Sequence, residues 1–181
     1  MSSSIKQCKS WLDKVVVKHN FCPFAKREVD NNTVRYVLSE AEGPEKLLYR
    51  LMDECQCLEN NPETETTLIV IEKAFEDFEE FLDLVALSEQ LMADSGYDGV
   101  YQLANFHPDY CFEGVTENDA SNYTNRSPFP MLHLLRSGSL EKALENYPEP
   151  EQIPEKNIES CRQAGADYFE KILTDIKKSY E

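Results

Sequence analysis

Long apolar runs are missing from this chain, so no segment is suited to crossing a bilayer as a helix. The opening Met1-Ser-Ser-Ser-Ile-Lys6 lacks the apolar core of a secretory signal, and the expected location is the cytoplasm. Positive charge is scarce: 18 Lys and Arg stand against 34 Asp and Glu, for a net charge of −16. A surface of that sign repels phosphate backbones and anionic lipid, which argues against nucleic-acid and membrane partners. Acidic stretches such as Glu76-Asp-Phe-Glu-Glu80 read as solvated helix faces that favour solubility. No Gly-rich phosphate loop, G-x-S-x-G or H-E-x-x-H occurs, so nucleotide-dependent transfer and the common hydrolase classes lose ground. No internal repeat is visible, and no linker rich in Gly, Ser or Pro divides the 181 residues into two domains. The sequence leaves the oligomeric state open.

The six cysteines follow no disulfide framework, and without an export signal they are expected as thiols. Cys55-Gln-Cys57 has neither zinc-knuckle nor C-x-x-C spacing. On a helix its sulfurs would point about 200° apart.

Periodicity supplies the framework. Ile5, Cys8, Leu12, Val15 and Val16 recur at helical spacing, and Pro23 pushes Cys22 out of helical conformation, so a first helix must end near Asn20. Thr33–Leu38 reads as a strand, and Gly43-Pro44 opens a helix that Asn60-Asn-Pro62 ends. Thr66–Ile71 is a near-continuous apolar run suited to the middle of a sheet. Phe75, Phe78, Leu82, Val85 and Met92 mark a third helix, closed by Ser95-Gly96, and Gly99–Ala104 forms a third strand. Further helices are expected over about 128–136, 139–146 and 155–178. The pattern predicts a single α/β (α+β) domain, 1–181, with a βαβ-based sheet of three or more strands, ferredoxin-like in order. An N-terminal helix (1–20) precedes a βαβαβ core (33–104), a functional loop (105–127) and a helical C-terminal part (128–178).

The functional reading centres on residues 105–136. Asn105–Ser127 is longer than most loops without regular structure, and its aromatic content argues against disorder. It follows the carboxyl end of a strand, where ligands of open α/β sheets bind. His107, Asp109 and Cys111 fall within five residues, so His107 oriented by Asp109 reads as a general acid or base. A divalent transition metal is a second option, with His107, Asp109 and His133 as ligands and Cys22 or Cys111 in addition. The alternative is that each histidine caps a loop. Cys22, in Cys-Pro-Phe-Ala25, is a candidate nucleophile if a cation or helix N-terminus lowers its pKa, and otherwise a structural thiol. Asn122, Tyr123, Asn125, Arg126 and Ser127 crowd donors into a short turn, and Ser127-Pro128 carries the signature of a helix start. Free N–H groups there, with Arg126 and then His133 and Arg136 on one helix face, would hold a small anion. The competing reading gives those donors to buried loop carbonyls.

Three segments carry a resemblance: Asn20-Phe-Cys-Pro-Phe-Ala25, Tyr101-Gln-Leu-Ala-Asn-Phe-His-Pro-Asp-Tyr110 and Asn122-Tyr-Thr-Asn-Arg-Ser-Pro-Phe-Pro-Met-Leu-His-Leu-Leu-Arg136. They resemble the hallmark segments of a mainly bacterial family catalogued as domain of unknown function 1415. The resemblance spans nearly the whole chain and implies that the three segments belong together; it brings no activity, cofactor or substrate. The sequence alone therefore suggests a small enzyme acting on an anionic molecule, with a non-catalytic ligand- or protein-binding module as the alternative. In a third reading, the motif block is architectural.

Overall fold

The computed structural model describes residues 2–180. Helix α1 (Ser3–Trp11) starts at Ser2, whose side chain accepts the Ile5 N–H, and continues into a π-helical stretch over Leu12–Val17. Asn20 ends it in the left-handed region, at φ 55°, a conformation asparagine tolerates better than most side chains. The short α2 (Ala25–Asp30) follows. Then come β1 (Val34–Ser39), α3 (Pro44–Asn60), β2 (Thr66–Ile71), α4 (Phe78–Asp94) and β3 (Tyr101–Phe106). After the long loop the chain forms β4 (Met131–Arg136), α5 (Ser137–Glu145), α6 (Ile153–Ala164) and α7 (Ala166–Tyr180).

The four strands form one mixed sheet in the order β1-β2-β4-β3. β1 and β2 are parallel neighbours, whereas β4 runs antiparallel to both β2 and β3. The α+β class stands, but these pairings do not reproduce a ferredoxin-like order. β2 and β3 run in the same direction with β4 between them, so the β2-α4-β3 crossover is split by the last strand.

Helices cover both faces. Leu68, Val70 and Met131 pack with Trp11, Val15, Val16, Phe169 and Ile176 on one side. Ile69, Ile71, Leu132 and Leu134 pack with Leu47, Leu51, Phe81 and Leu84 on the other. All six residues of β2 are buried, which is why its sequence reads as a continuous run instead of an alternation.

Two elements differ from expectation. Residues 131–136 are a strand, not the end of a helix beginning at Pro128. The reason is local as well as tertiary. Pro130 disfavours helical geometry at Phe129, and pairing on both sides, with β2 and β3, then fixes the extended chain. The C-terminal part thus begins with sheet, and its expected last helix is two helices broken at Gly165, φ 86°. Glycine reaches that conformation without a side-chain clash.

Candidate functional site

The loop after β3 is anchored through His107, which is fully buried between the Phe78 and Phe81 rings, each 5.1 Å away. Its Nε2–H donates to the Phe75 carbonyl at 2.9 Å, and its Nδ1 accepts the Asp109 backbone N–H at 3.0 Å. Those two bonds define a neutral imidazole with one fixed tautomer and no lone pair left over. Burial pushes its pKa down, which keeps it neutral. The expected acid–base pairing is therefore corrected: the backbone N–H of Asp109 orients the ring, and its carboxylate does not. Phe75, on the other end of the clamp, sits at φ 59°, an unusual conformation for a bulky residue.

The donors of the turn also face inward. Asn122 is fully buried; its Oδ1 accepts the Phe112 N–H at 3.1 Å, while Nδ2 donates to the Thr116 carbonyl at 2.9 Å and the Glu117 carbonyl at 3.3 Å. Asn125 donates to the Asn105 carbonyl, and Ser127 to the Phe129 carbonyl. Arg126 donates to the carbonyls of Tyr110 (3.1 Å) and Glu117 (2.8 Å), with its guanidinium 5.0 Å above the Tyr123 ring. Trp11 Nε1 in turn donates to the Arg126 carbonyl at 2.9 Å, fastening the loop to α1. No helix starts at Ser127, so the expected anion pocket at a helix N-terminus is not formed. The groove beside Arg126, about 790 Å³, is walled by Glu76, Asp77, Glu79, Asp109, Glu113 and Glu117. Six carboxylates make that groove hostile to an anion.

Arg136 is equally occupied. Its guanidinium donates to the carbonyls of Leu58 (2.5 Å), Thr64 (3.1 Å) and Asn61 (3.3 Å), capping the carboxyl end of α3 where the helix dipole favours a cation. The metal set fails on geometry. Both His107 nitrogens are engaged, and among the described residues no group of three or more His, Cys, Asp or Glu is arranged to hold an ion.

A different place gathers the remaining candidates. On the α1 side of the sheet a cleft of about 560 Å³ contains Cys22, His133 and one side of Arg136. Its floor comes from the strands, because Thr66, Leu68, His133 and Leu135 share one face through the pairings Leu68↔His133 and Thr66↔Leu135. Pro23, Phe24 and Ala25 form one wall, and Leu140, Ala143 and Tyr147 the opposite one. The Phe24 and Tyr147 rings are in edge-to-face contact, centroids 5.8 Å apart, and join the two walls. Arg27 and Lys142 stand exposed at its rim, with Glu28 and Glu65 also lining it.

His133 is the polar centre of this cleft. Thr66 Oγ1 lies 2.6 Å from His133 Nε2 and 2.6 Å from the Leu134 carbonyl. A hydroxyl has one proton, and two oxygens that close need it between them. Thr66 therefore donates to Leu134, and Nε2–H donates to Thr66. The ring is held in the Nε2–H tautomer, and Nδ1 has no hydrogen-bond partner among the described residues. Desolvation lowers its pKa to about 4, so the imidazole is neutral at pH 7. Cys22 is half-buried nearby in the cleft wall. Burial raises its pKa more than the N–H groups of Phe24 and Ala25 lower it, leaving a protonated thiol instead of an activated nucleophile. His19 packs against Phe21, Tyr168 and Phe169 and does not line the cleft.

Sequence reasoning missed Thr66 and the α5 wall. The alternation Met131, His133, Leu135 was the available signal, since a period of two puts His133 on a sheet face. Compared with known proteins, residues 3–171 match the model of a family described as protein of unknown function (DUF1415). No curated protein and no solved structure matches the chain.

Proposed function

Since the chain belongs to the DUF1415 family, whose description names no activity, we propose from the geometry that it binds an anionic small molecule with an apolar body in the Cys22–His133 cleft. The observation that carries this reading is the His133 ring: a neutral imidazole with an unpartnered Nδ1 on the floor of a cleft that has apolar walls and a charged rim. Small-molecule sites combine apolar walls with a few convergent polar groups in volumes of roughly 300–1,000 Å³. Charge supports the same choice. Arg27 and Lys142 stand at this rim beside Glu28 and Glu65, whereas the other groove has six carboxylates against Arg126. A reducing, cytoplasmic setting belongs to the reading, because all six cysteines are free thiols.

An acid–base enzyme is the second reading, favoured by the same Nδ1. Nδ1 is placed to take a proton from a bound molecule, as a weak base because burial depresses its pKa to about 4, and the role passes from His107 to His133.

The test uses 8-anilinonaphthalene-1-sulfonate, an apolar fluorescent anion. Wild type should bind it with enhanced emission, and Ala143→Trp, which fills the cleft from an α5 wall position, should lose that signal with its far-UV spectrum unchanged. Equal binding by both proteins, or none by wild type, overturns the proposal.

A further inference from the structure

Resting on the cleft assigned above, we infer its ligand class: a hydroxyaryl carboxylate, whose phenol O–H donates to His133 Nδ1 at the floor while its carboxylate meets Arg27 and Lys142 at the rim. The tautomer is the first reason. With Nε2–H committed to Thr66, and Thr66 committed to the Leu134 carbonyl, the free nitrogen accepts and does not donate. A ligand reaching it must bring a hydrogen. A carboxylate placed there would face a lone pair, and binding it would require the ring to take up a proton in an apolar setting. An ammonium group would carry its own charge into the same apolar floor.

The walls give the second reason. Pro23, Phe24 and Tyr147 line the cleft with flat or aromatic surfaces, and contact of a ligand ring with them adds to what burial of apolar area provides. The rim gives the third. The Arg136 cation is held by the carbonyls that end α3, so Arg27 and Lys142 are the cleft-lining cations left to meet an anion. Arg27 pairs with Glu28 through Nε at 3.6 Å, and because its side chain is 80% exposed that pair is weak enough for a ligand carboxylate to compete with it. Charge outside, donor inside and a ring between them describe one molecule.

The experiment is calorimetric titration at pH 7 with 3-(4-hydroxyphenyl)propanoate, 3-phenylpropanoate and the methyl ester of the former. Wild type should bind the phenolic acid about tenfold more tightly than its deoxy analogue, the worth of one buried hydrogen bond. His133→Phe should erase that preference and keep affinity for 3-phenylpropanoate. Thr66→Val, a smaller change that frees the tautomer, should reduce the preference without removing it. Arg27→Ala combined with Lys142→Ala should weaken both acids several-fold and leave the ester unaffected. In ¹⁵N spectra of histidine-labelled protein, the phenolic acid should shift the His133 Nδ1 resonance, and 3-phenylpropanoate should not.

A preference that survives in His133→Phe, or no preference at all, overturns the inference. If 3-phenylpropanoate still displaces the naphthalene sulfonate, the cleft reading stands and only the ligand class falls. If none of the three binds and Ala143→Trp changes nothing, the cleft reading itself has failed.

Discussion

Replacing His107 by alanine separates an architectural loop from a catalytic one. The ring is fully buried between two phenylalanines and closes two hydrogen bonds, so its removal leaves a cavity together with an unpartnered Phe75 carbonyl and Asp109 N–H. Buried aromatic-to-alanine changes cost about 3–5 kcal/mol. Part of that is recovered, because Phe75 is released from its left-handed conformation, a relief of about 1–2 kcal/mol. The net expectation is a loss of about 1–4 kcal/mol, and for a chain of this size that corresponds to a fall in Tm of roughly 2–16 °C. Urea denaturation followed by far-UV circular dichroism reads the stability, and naphthalene sulfonate emission reads the cleft. The variant should be destabilised by that amount and still bind the dye at temperatures where it is folded. A variant with unchanged Tm that has lost ligand binding or turnover would refute the reasoning and return His107 to the functional site.

Arg136→Ala should cost about 1.5–3 kcal/mol by leaving the carbonyls at the end of α3 without their charged partner. Arg136→Lys should recover little of it in the same urea titration, since an ammonium cannot span three carbonyls as a guanidinium does. Arg126→Ala should lower Tm and leave the naphthalene sulfonate affinity within twofold, because its donors serve the Tyr110 and Glu117 carbonyls. Acid should destabilise the fold through its neutral histidines. The folded pKa of His133 lies below the unfolded value, so below about pH 6.5 the unfolded chain binds the extra proton first. Stability then falls as pH drops toward about 4, with a slope of about 1.4 kcal/mol per pH unit for that histidine. His133→Phe should show a shallower decline in urea titrations between pH 6.5 and 4.5, and an equal slope would contradict the assignment.

Much of the framework was legible because it is local. Thr66–Ile71 reads as a buried strand from composition alone, and Gly43-Pro44 announces α3 through the preference of proline for a first helical turn. β4 was not legible in the same way. Ser127-Pro128 imitates a helix start, and the evidence against it, Phe129 before Pro130, is only a bias until β2 and β3 supply partners on both sides. The site divides along the same line. Cys22, His133 and Arg136 stand out as residue types, but their meeting in one cleft depends on where β4 enters the sheet. Thr66 gains significance only as a diagonal neighbour of His133. A cluster of amides and arginine reads identically whether its donors address a ligand or the loop's own carbonyls. Backbone geometry alone makes that choice, and here it favours the carbonyls.

The late position of β4 has a bearing on how the chain comes off the ribosome. The strand that joins the two halves of the sheet is encoded at residues 131–136, after both strands it must bridge. Before it emerges, β2 presents an open apolar edge and β3 has no partner in the sheet, which is the kind of surface that recruits other chains or a chaperone. A nascent chain stalled at Pro130 should therefore be protease-sensitive and hold ribosome-associated chaperones, and one stalled well past Arg136 should not. Stop codons before residue 131 would then yield insoluble fragments instead of a smaller folded unit.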